Sequence, residues 1–220
     1  MCDKLDLSKI VQYDFPVEQY VNEETTKRQI YLHHTAGNPS ATGVFDYWKS
    51  NGERVGTCIV IAGDGTIVQG FPSKCWAYHL KVAQEAFHKY NLPYALLDKN
   101  SIGIEICNWG CLTKSFGEYR SWSGVLVKEE EVYDFGKTFR NYRYYHKYRS
   151  EQIESVNKLL VYWGDKYGIP IKYLGDELFS DELDRRALAG EPGVYAHCSV
   201  RYDKSDINPQ SQMVSMLKTL

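Results

Sequence analysis

Apolar residues fall along this chain in short, separated bursts whose spacing changes from two to about three and a half. "QIYLHH", residues 29–34, is a compact β-prone run and reads as a strand. In "ATGVFDYWKSNG", Val44, Tyr47 and Trp48 recur at helical spacing and Gly52 supplies a stop. "VGTCIVIAGDGTIVQG" is two β-branched runs around Asp64-Gly65, a two-residue hairpin signal. In "SIGIEICNWG", Ile102, Ile104 and Ile106 cover one strand face and leave Gly103, Glu105 and Cys107 on the other. Residues 108–149 mix glycines, aromatics and the acidic run Glu129 to Glu131, and read as an irregular insertion with one small hairpin. Ser150 caps a long helix, "EQIESVNKLLVYWGDKYG", with a buried stripe of Ile153, Val156, Leu160, Trp163 and Tyr167; Gly168-Ile169-Pro170 ends it. Strands separated by helices predict an α/β sheet with helices packed on it. No internal repeat or linker composition divides the chain, so residues 1–220 are expected to form a single domain, with residues 1–25 as an N-terminal extension.

Composition narrows the class. A chain of 220 residues with 43% hydrophobic and 14% aromatic residues has enough apolar material for one sizeable core. A net charge of −2 argues against a broad basic face for nucleic acid. No run of 18 apolar residues is present, so no membrane span is expected. "MCDKLDLSKIVQYDF" lacks a basic segment followed by an apolar one, and no secretory signal peptide is expected. The six cysteines, Cys2, Cys58, Cys75, Cys107, Cys111 and Cys198, are accordingly read as reduced thiols of a cytoplasmic protein. Cys58 sits in the apolar "CIVIA" and reads as a small core residue, and the single Cys107/Cys111 spacing is a weak metal signal.

The polar residues with chemical promise lie in three separate segments: His33 and His34, Glu105, and "YAHCSVRYDKSDINP" with His197, Asp203, Lys204 and Asp206. Neighbouring residues of a strand point to opposite faces, so only one of His33 and His34 reaches a given site. Two imidazoles and a carboxylate suit tetrahedral Zn²⁺ with one position left for water. Such a site keeps a net charge near +1 and draws the pKa of bound water towards roughly 7. A neighbouring carboxylate then has a proton to accept, and a neighbouring lysine an oxyanion to stabilise. Residue types alone leave the ligand set open, because ligands from three segments obey no local spacing rule.

"YLHHTAG", "RVGTCIVIAGDGTIVQG", "WAYHL", "NSIGIEI" and "AHCSVRYDKSDINP" occur in the order and spacing of the type 2 N-acetylmuramoyl-L-alanine amidases, and the chain resembles that family from residue 29 to about residue 210. This zinc family includes phage lysozyme-like amidases, wall-recycling amidases and peptidoglycan recognition proteins. The resemblance implies a central mixed β-sheet flanked by helices. It also implies Zn²⁺ held by His33, His197 and Asp206, with His34 packed behind the site and Asp203 as the rival third ligand. The His197-to-Lys204 spacing of seven (204 − 197) is one on which family members differ. Lys204 matches the family's catalytic lysine, and Glu105 its catalytic glutamate in recycling-type members. Many phage members instead use a hairpin tyrosine, where this chain has Thr57, which cannot exchange a proton near neutral pH. His79, in "WAYHL", matches a substrate-groove histidine, and Trp76 and Trp109 are candidate groove residues.

The activity implied is hydrolysis of the amide between N-acetylmuramic acid and L-alanine in peptidoglycan. The expected biological setting is a monomeric phage endolysin, held in the host bacterial cytoplasm until released to the wall. A muropeptide-recycling enzyme and a non-catalytic peptidoglycan-binding module are the alternatives. No nucleic-acid or membrane partner is expected.

Overall fold

The computed structural model describes residues 4–37, 39–172 and 174–220; Cys2, read above as a reduced thiol, lies outside them. The chain opens on the two-residue strand β1 (Val11–Gln12), followed by β2 (Gln29–His34) and helix α1 (Ala41–Asn51). Ser40 caps α1 by accepting the Gly43 N–H, and Gly52 ends it at φ +64°, a conformation that a residue without Cβ adopts freely. The hairpin read around Asp64-Gly65 is β3 (Ile59–Ile61) and β4 (Ile67–Gln69). Then come the short helix α2 (Gln84–Lys89) and strand β5 (Ser101–Ile106).

These strands, with the later β11 (Gly193–Ala196), build a six-stranded mixed sheet of order β1-β4-β3-β5-β2-β11. β3, β5, β2 and β11 run parallel, and every residue of β5 and β2 is buried. Burial on both faces is the usual state of a parallel strand, and it needs a cover on each side. Ile30, Leu32, Ile104 and Ile106 enter a large core with Phe45 and Trp48 of α1. Val156, Leu160 and Trp163 of α3 (Ser150–Tyr167) and Met213 of α5 (Ser211–Leu217) complete it. Tyr31 and Tyr195 face a smaller core with Phe87 of α2 and Leu188 of α4 (Arg185–Leu188). Fully burying an Ile or Leu side chain is worth about 1.5–3 kcal/mol, so the register of these strands is strongly specified. Part of the N-terminal extension belongs to this sheet: β1 pairs parallel with β4, and Phe15 is buried in the large core.

The long helix starts one residue differently from expectation. Ser150 is its first helical residue, not its cap, and Gln152 Oε1 accepts the Arg149 N–H at 3.1 Å. Tyr167, at the end of the expected stripe, stays half-buried with its hydroxyl 2.8 Å from Ser73 Oγ.

Residues 108–149 are a larger correction. They hold a complete five-stranded antiparallel sheet, β6 (Cys111–Ser115), β7 (Glu118–Ser121), β8 (Leu126–Val127), β9 (Val132–Phe139) and β10 (Tyr142–His146), ordered β8-β7-β6-β10-β9. Two features hid it. Its private core is small, essentially Leu112, Tyr119, Val127 and Val132, while Phe116, Trp122 and Leu126 are exposed, so apolar alternation is blurred. One of its tight turns also uses unusual residues: Arg140-Asn141 joins β9 to β10 with both φ values positive, +50° and +68°, where Asn-Gly is the readable signal. Arg140 then docks the second sheet. Its Nη2 donates to Ser180 and Cys198 carbonyls, at 3.0 and 2.7 Å.

Candidate active site

Three parallel neighbours, β5, β2 and β11, end on the same side of the sheet, and each delivers one group there. In an open α/β sheet the carboxyl ends of parallel strands form the natural crevice for a ligand. His33 is the fifth residue of β2 and lies in register with Glu105 of β5. His197 opens the tight turn that follows β11, and the loop beyond it returns with Lys204 and Asp206.

His33, His197 and Asp206 are buried and converge on one point. His33 Nδ1 lies 3.0 Å from His197 Nδ1 and 3.4 Å from Asp206 Oδ2, and His197 Nδ1 lies 3.1 Å from the same carboxylate oxygen. Zn²⁺ with bonds of about 2.0–2.2 Å spaces tetrahedral ligand atoms roughly 3.3–3.5 Å apart, so the three donors fit one ion after a small opening. Two nitrogens and one oxygen are also a donor set that zinc accepts with a position to spare. Asp203, the rival ligand, is turned away into a two-point pair with Arg201, at 2.9 and 2.6 Å. His34 sits behind the cluster: its Nδ1 is hydrogen-bonded with the Tyr148 hydroxyl at 3.0 Å, and that hydroxyl accepts the Asn208 N–H at 3.2 Å. This chain of bonds ties β2 to the segment just after Asp206. Neither Tyr148 nor Asn208 carried a sequence signal of its own.

Glu105 and Lys204 flank the cluster. Glu105 is buried yet makes no hydrogen bond or ion pair among the described residues, and its carboxylate opens onto the cavity. Burial, reinforced by the Asp206 charge, raises its pKa well above the usual carboxylate range, against a smaller opposing pull from Lys204. Burial also pushes Asp206 up, but the positive charge that the adjacent imidazoles acquire on protonation, His197 before His33, outweighs it and holds Asp206 well below that range. Thr57, just before β3, donates its hydroxyl to the Ile59 carbonyl at 2.7 Å. His79 lines the cavity, with its Nδ1 3.0 Å from His33 Nε2.

The cluster lies in a cavity of about 970 Å³. Trp76 and Trp109 do not line it, which corrects their placing on the groove. Trp76 is buried with its indole N–H on Glu23, and Trp109 packs on the small core of the second sheet. The aromatic walls are Tyr47 and Trp48 of α1 and Trp122, whose indole N–H donates to the Ala36 carbonyl while 77% of the residue stays exposed. Trp122 belongs to the turn of a sheet that sequence reading did not find.

The buried imidazoles give the metal-free protein a pH signature. Burial holds His33 and His146 at about 4, and lowers His34 and His79 too. Between roughly pH 4 and the ordinary value near 6.5, the folded chain therefore binds fewer protons at these sites than the unfolded chain. Acidification through that window favours unfolding at these four rings, and Glu105, raised by burial, acts in the opposite direction. Thermal melts of chelator-treated protein are expected to show a melting temperature that falls from about pH 7 to about pH 4.5. A melting temperature that rises or stays flat would show that these rings are not held neutral.

A mixed α/β sheet with a buried two-histidine, one-carboxylate cluster at its parallel strand ends defines the class of protein. The chain belongs to the N-acetylmuramoyl-L-alanine amidase family (Amidase_2), which matches residues 23–210. Among solved structures it is similar in fold to PlyL (14% identity, TM-score 0.51, covering 95% of this chain and 96% of that one). It is similarly close to a mutant endolysin from Bacillus subtilis (13%, 0.54, 94% and 97%) and to an AmpD derivative (16%, 0.50, 99% and 98%). No curated protein sequence matches it. No helix among the described residues is long and apolar enough to cross a membrane.

Proposed function

We propose that this chain is a zinc-dependent amidase cutting the bond between N-acetylmuramic acid and L-alanine in peptidoglycan, acting as a monomer. The observation that carries the reading is the meeting of His33, His197 and Asp206 at one point, with Glu105 in register beside His33. His33 and His197 through Nδ1, and Asp206 through Oδ2, would hold the ion. Bound Zn²⁺ would supply a Lewis acid for the scissile carbonyl and for water. Glu105 takes the proton of the attacking water. Its burial and the nearby Asp206 charge then let it keep that proton until the alanine amine departs, when it passes it on. Lys204 faces the same cavity with no ion-pair partner among the described residues, leaving its ammonium for the oxyanion of the tetrahedral intermediate. Trp122 and Tyr47 offer apolar ring faces for the sugar and lactyl groups.

The role is that of a phage endolysin acting on a host wall. Support comes from the similarity in fold to a structure described as an endolysin and from the open cavity, which suits a polymer. The test is digestion of purified peptidoglycan with and without chelator. New L-alanine amino termini should appear only without chelator, and new reducing sugar ends should not appear at all. Cleavage within the peptide or between sugars would overturn the assignment. Trp122→Ala should raise KM for a soluble muropeptide by roughly 2–10-fold with kcat nearly kept, because one aromatic contact is worth roughly 0.5–1.5 kcal/mol of binding. An unchanged KM would remove Trp122 from the groove.

A further inference from the structure

The two candidate histidine ligands are served by a single dipeptide. His79 meets His33 Nε2 with its side chain at 3.0 Å, and the Leu80 carbonyl meets His197 Nε2 at 3.3 Å. Asp98, itself buried, accepts both the His79 and the Leu80 backbone N–H, each at 2.7 Å. Gly103 leaves the ring of His79 its place: a Cβ there would lie 2.4 Å from Thr57 Cγ2 and 3.1 Å from His79 Nδ1.

The direction of each bond follows from what the far partner can do. A carbonyl only accepts, so His197 carries its proton on Nε2, and its Nδ1 is bare towards His33 and Asp206. On the other side the Ser101 hydroxyl donates to the Leu97 carbonyl at 2.8 Å, so its oxygen is left to accept from His79 Nε2 at 2.9 Å. His79 then has a bare Nδ1, which accepts from His33 Nε2. His33 Nδ1 is consequently bare as well. Two lone pairs and a carboxylate oxygen are thus turned on one another within 3.4 Å, an arrangement that a cation relieves.

We infer that the His79–Leu80 dipeptide, clamped by Asp98 and oriented through Ser101, is the positioning device that sets the tautomer of both histidines and so prepares them to take a metal. This rests on the proposed function for the identity of the ion, but not for the tautomers themselves. His79 acts through His33; it does not touch the reacting atoms.

The test uses the full-length protein and two readouts. Zinc affinity is measured by competition with a chromophoric chelator, and the ring nitrogens of His33 are followed by long-range ¹H–¹⁵N NMR in zinc-free protein near pH 8. The parent should show His33 protonated on Nε2. His79→Ala should bind zinc about 10–100-fold more weakly, the usual cost of losing a partner of a metal-bound histidine, and should move the His33 proton towards Nδ1. His79→Asn places an amide oxygen near the lost Nδ1 and should recover most of the affinity and the parent tautomer. Equal zinc affinity in His79→Ala, or a parent His33 already protonated on Nδ1, would overturn the inference. If His79→Ala fails to fold, the parent spectrum and His79→Asn still decide. A parent that binds no zinc would sink the metal reading, while the NMR measurement still judges the relay.

Discussion

His33→Ala is expected to lose zinc and to reduce muropeptide turnover to the uncatalysed background, whereas His34→Ala is expected to keep zinc and lose mainly stability. The contrast rests on position. His33 Nδ1 points at His197 and Asp206, while His34 Nδ1 is spent on the Tyr148 hydroxyl. Removing His33 leaves one imidazole and one carboxylate, too few for a tight zinc site. Removing His34 breaks a buried hydrogen bond and leaves space beside Gly110, which predicts a cost of about 1–3 kcal/mol in unfolding free energy. Metal content by elemental analysis, read beside denaturant melts, separates the two. A zinc-replete, active His33→Ala protein would show that the ligand set is wrong. Asp206→Ala against Asp203→Ala extends the comparison. Only the first should lose metal, since Asp203 is held by Arg201 at the surface.

Glu105→Gln should bind zinc and peptidoglycan like the parent and lose turnover by ~10²–10⁴-fold, the usual worth of general acid–base catalysis. The substitution keeps the volume of a buried side chain that has no hydrogen-bond partner to lose among the described residues. It removes only the ability to accept a proton. Lys204→Ala, assayed beside it at equal zinc content, should lose roughly 10²–10³-fold through the oxyanion alone. Thr57→Ala should be close to neutral for rate, because its hydroxyl serves the Ile59 carbonyl. Near-normal rates in Glu105→Gln with collapse in Thr57→Ala would move the proton path to the hairpin.

Much of the frame was legible because local signals and burial agree. The β-prone runs at 29–34 and 101–106 are strands whose residues are buried on both faces, and the hairpin read at Asp64-Gly65 is present, although its loop is the three residues Gly63-Asp64-Gly65, closed by the Gly65 N–H on the Ala62 carbonyl, and not a two-residue turn. Alternation separated His33 from His34, and the pairing then sets His33 opposite Glu105, both lining the cavity. The second sheet was illegible because its strands bury little and its turns at Phe116-Gly117 and Arg140-Asn141 lack the usual dipeptides. Trp122 was missed for the same reason, since a wall residue cannot be picked out before the element that carries it.

By itself the sequence determined the kinds of donor available and the strand that holds each. Alternation along β2 and β5 is local geometry, so it could set His33 apart from His34, and Glu105 apart from its flanking isoleucines, without any knowledge of the neighbours. Which groups meet was decided only by the tertiary structure. Parallel pairing of β5, β2 and β11 brings together residues 33, 105 and 197, and the returning loop adds Asp206 while Arg201 holds Asp203 aside. The same packing placed His79 behind His33, in a relay that no spacing along the chain encodes. Contacts between segments many residues apart depend on sheet order and strand register, and those are set by how the whole chain buries its apolar faces.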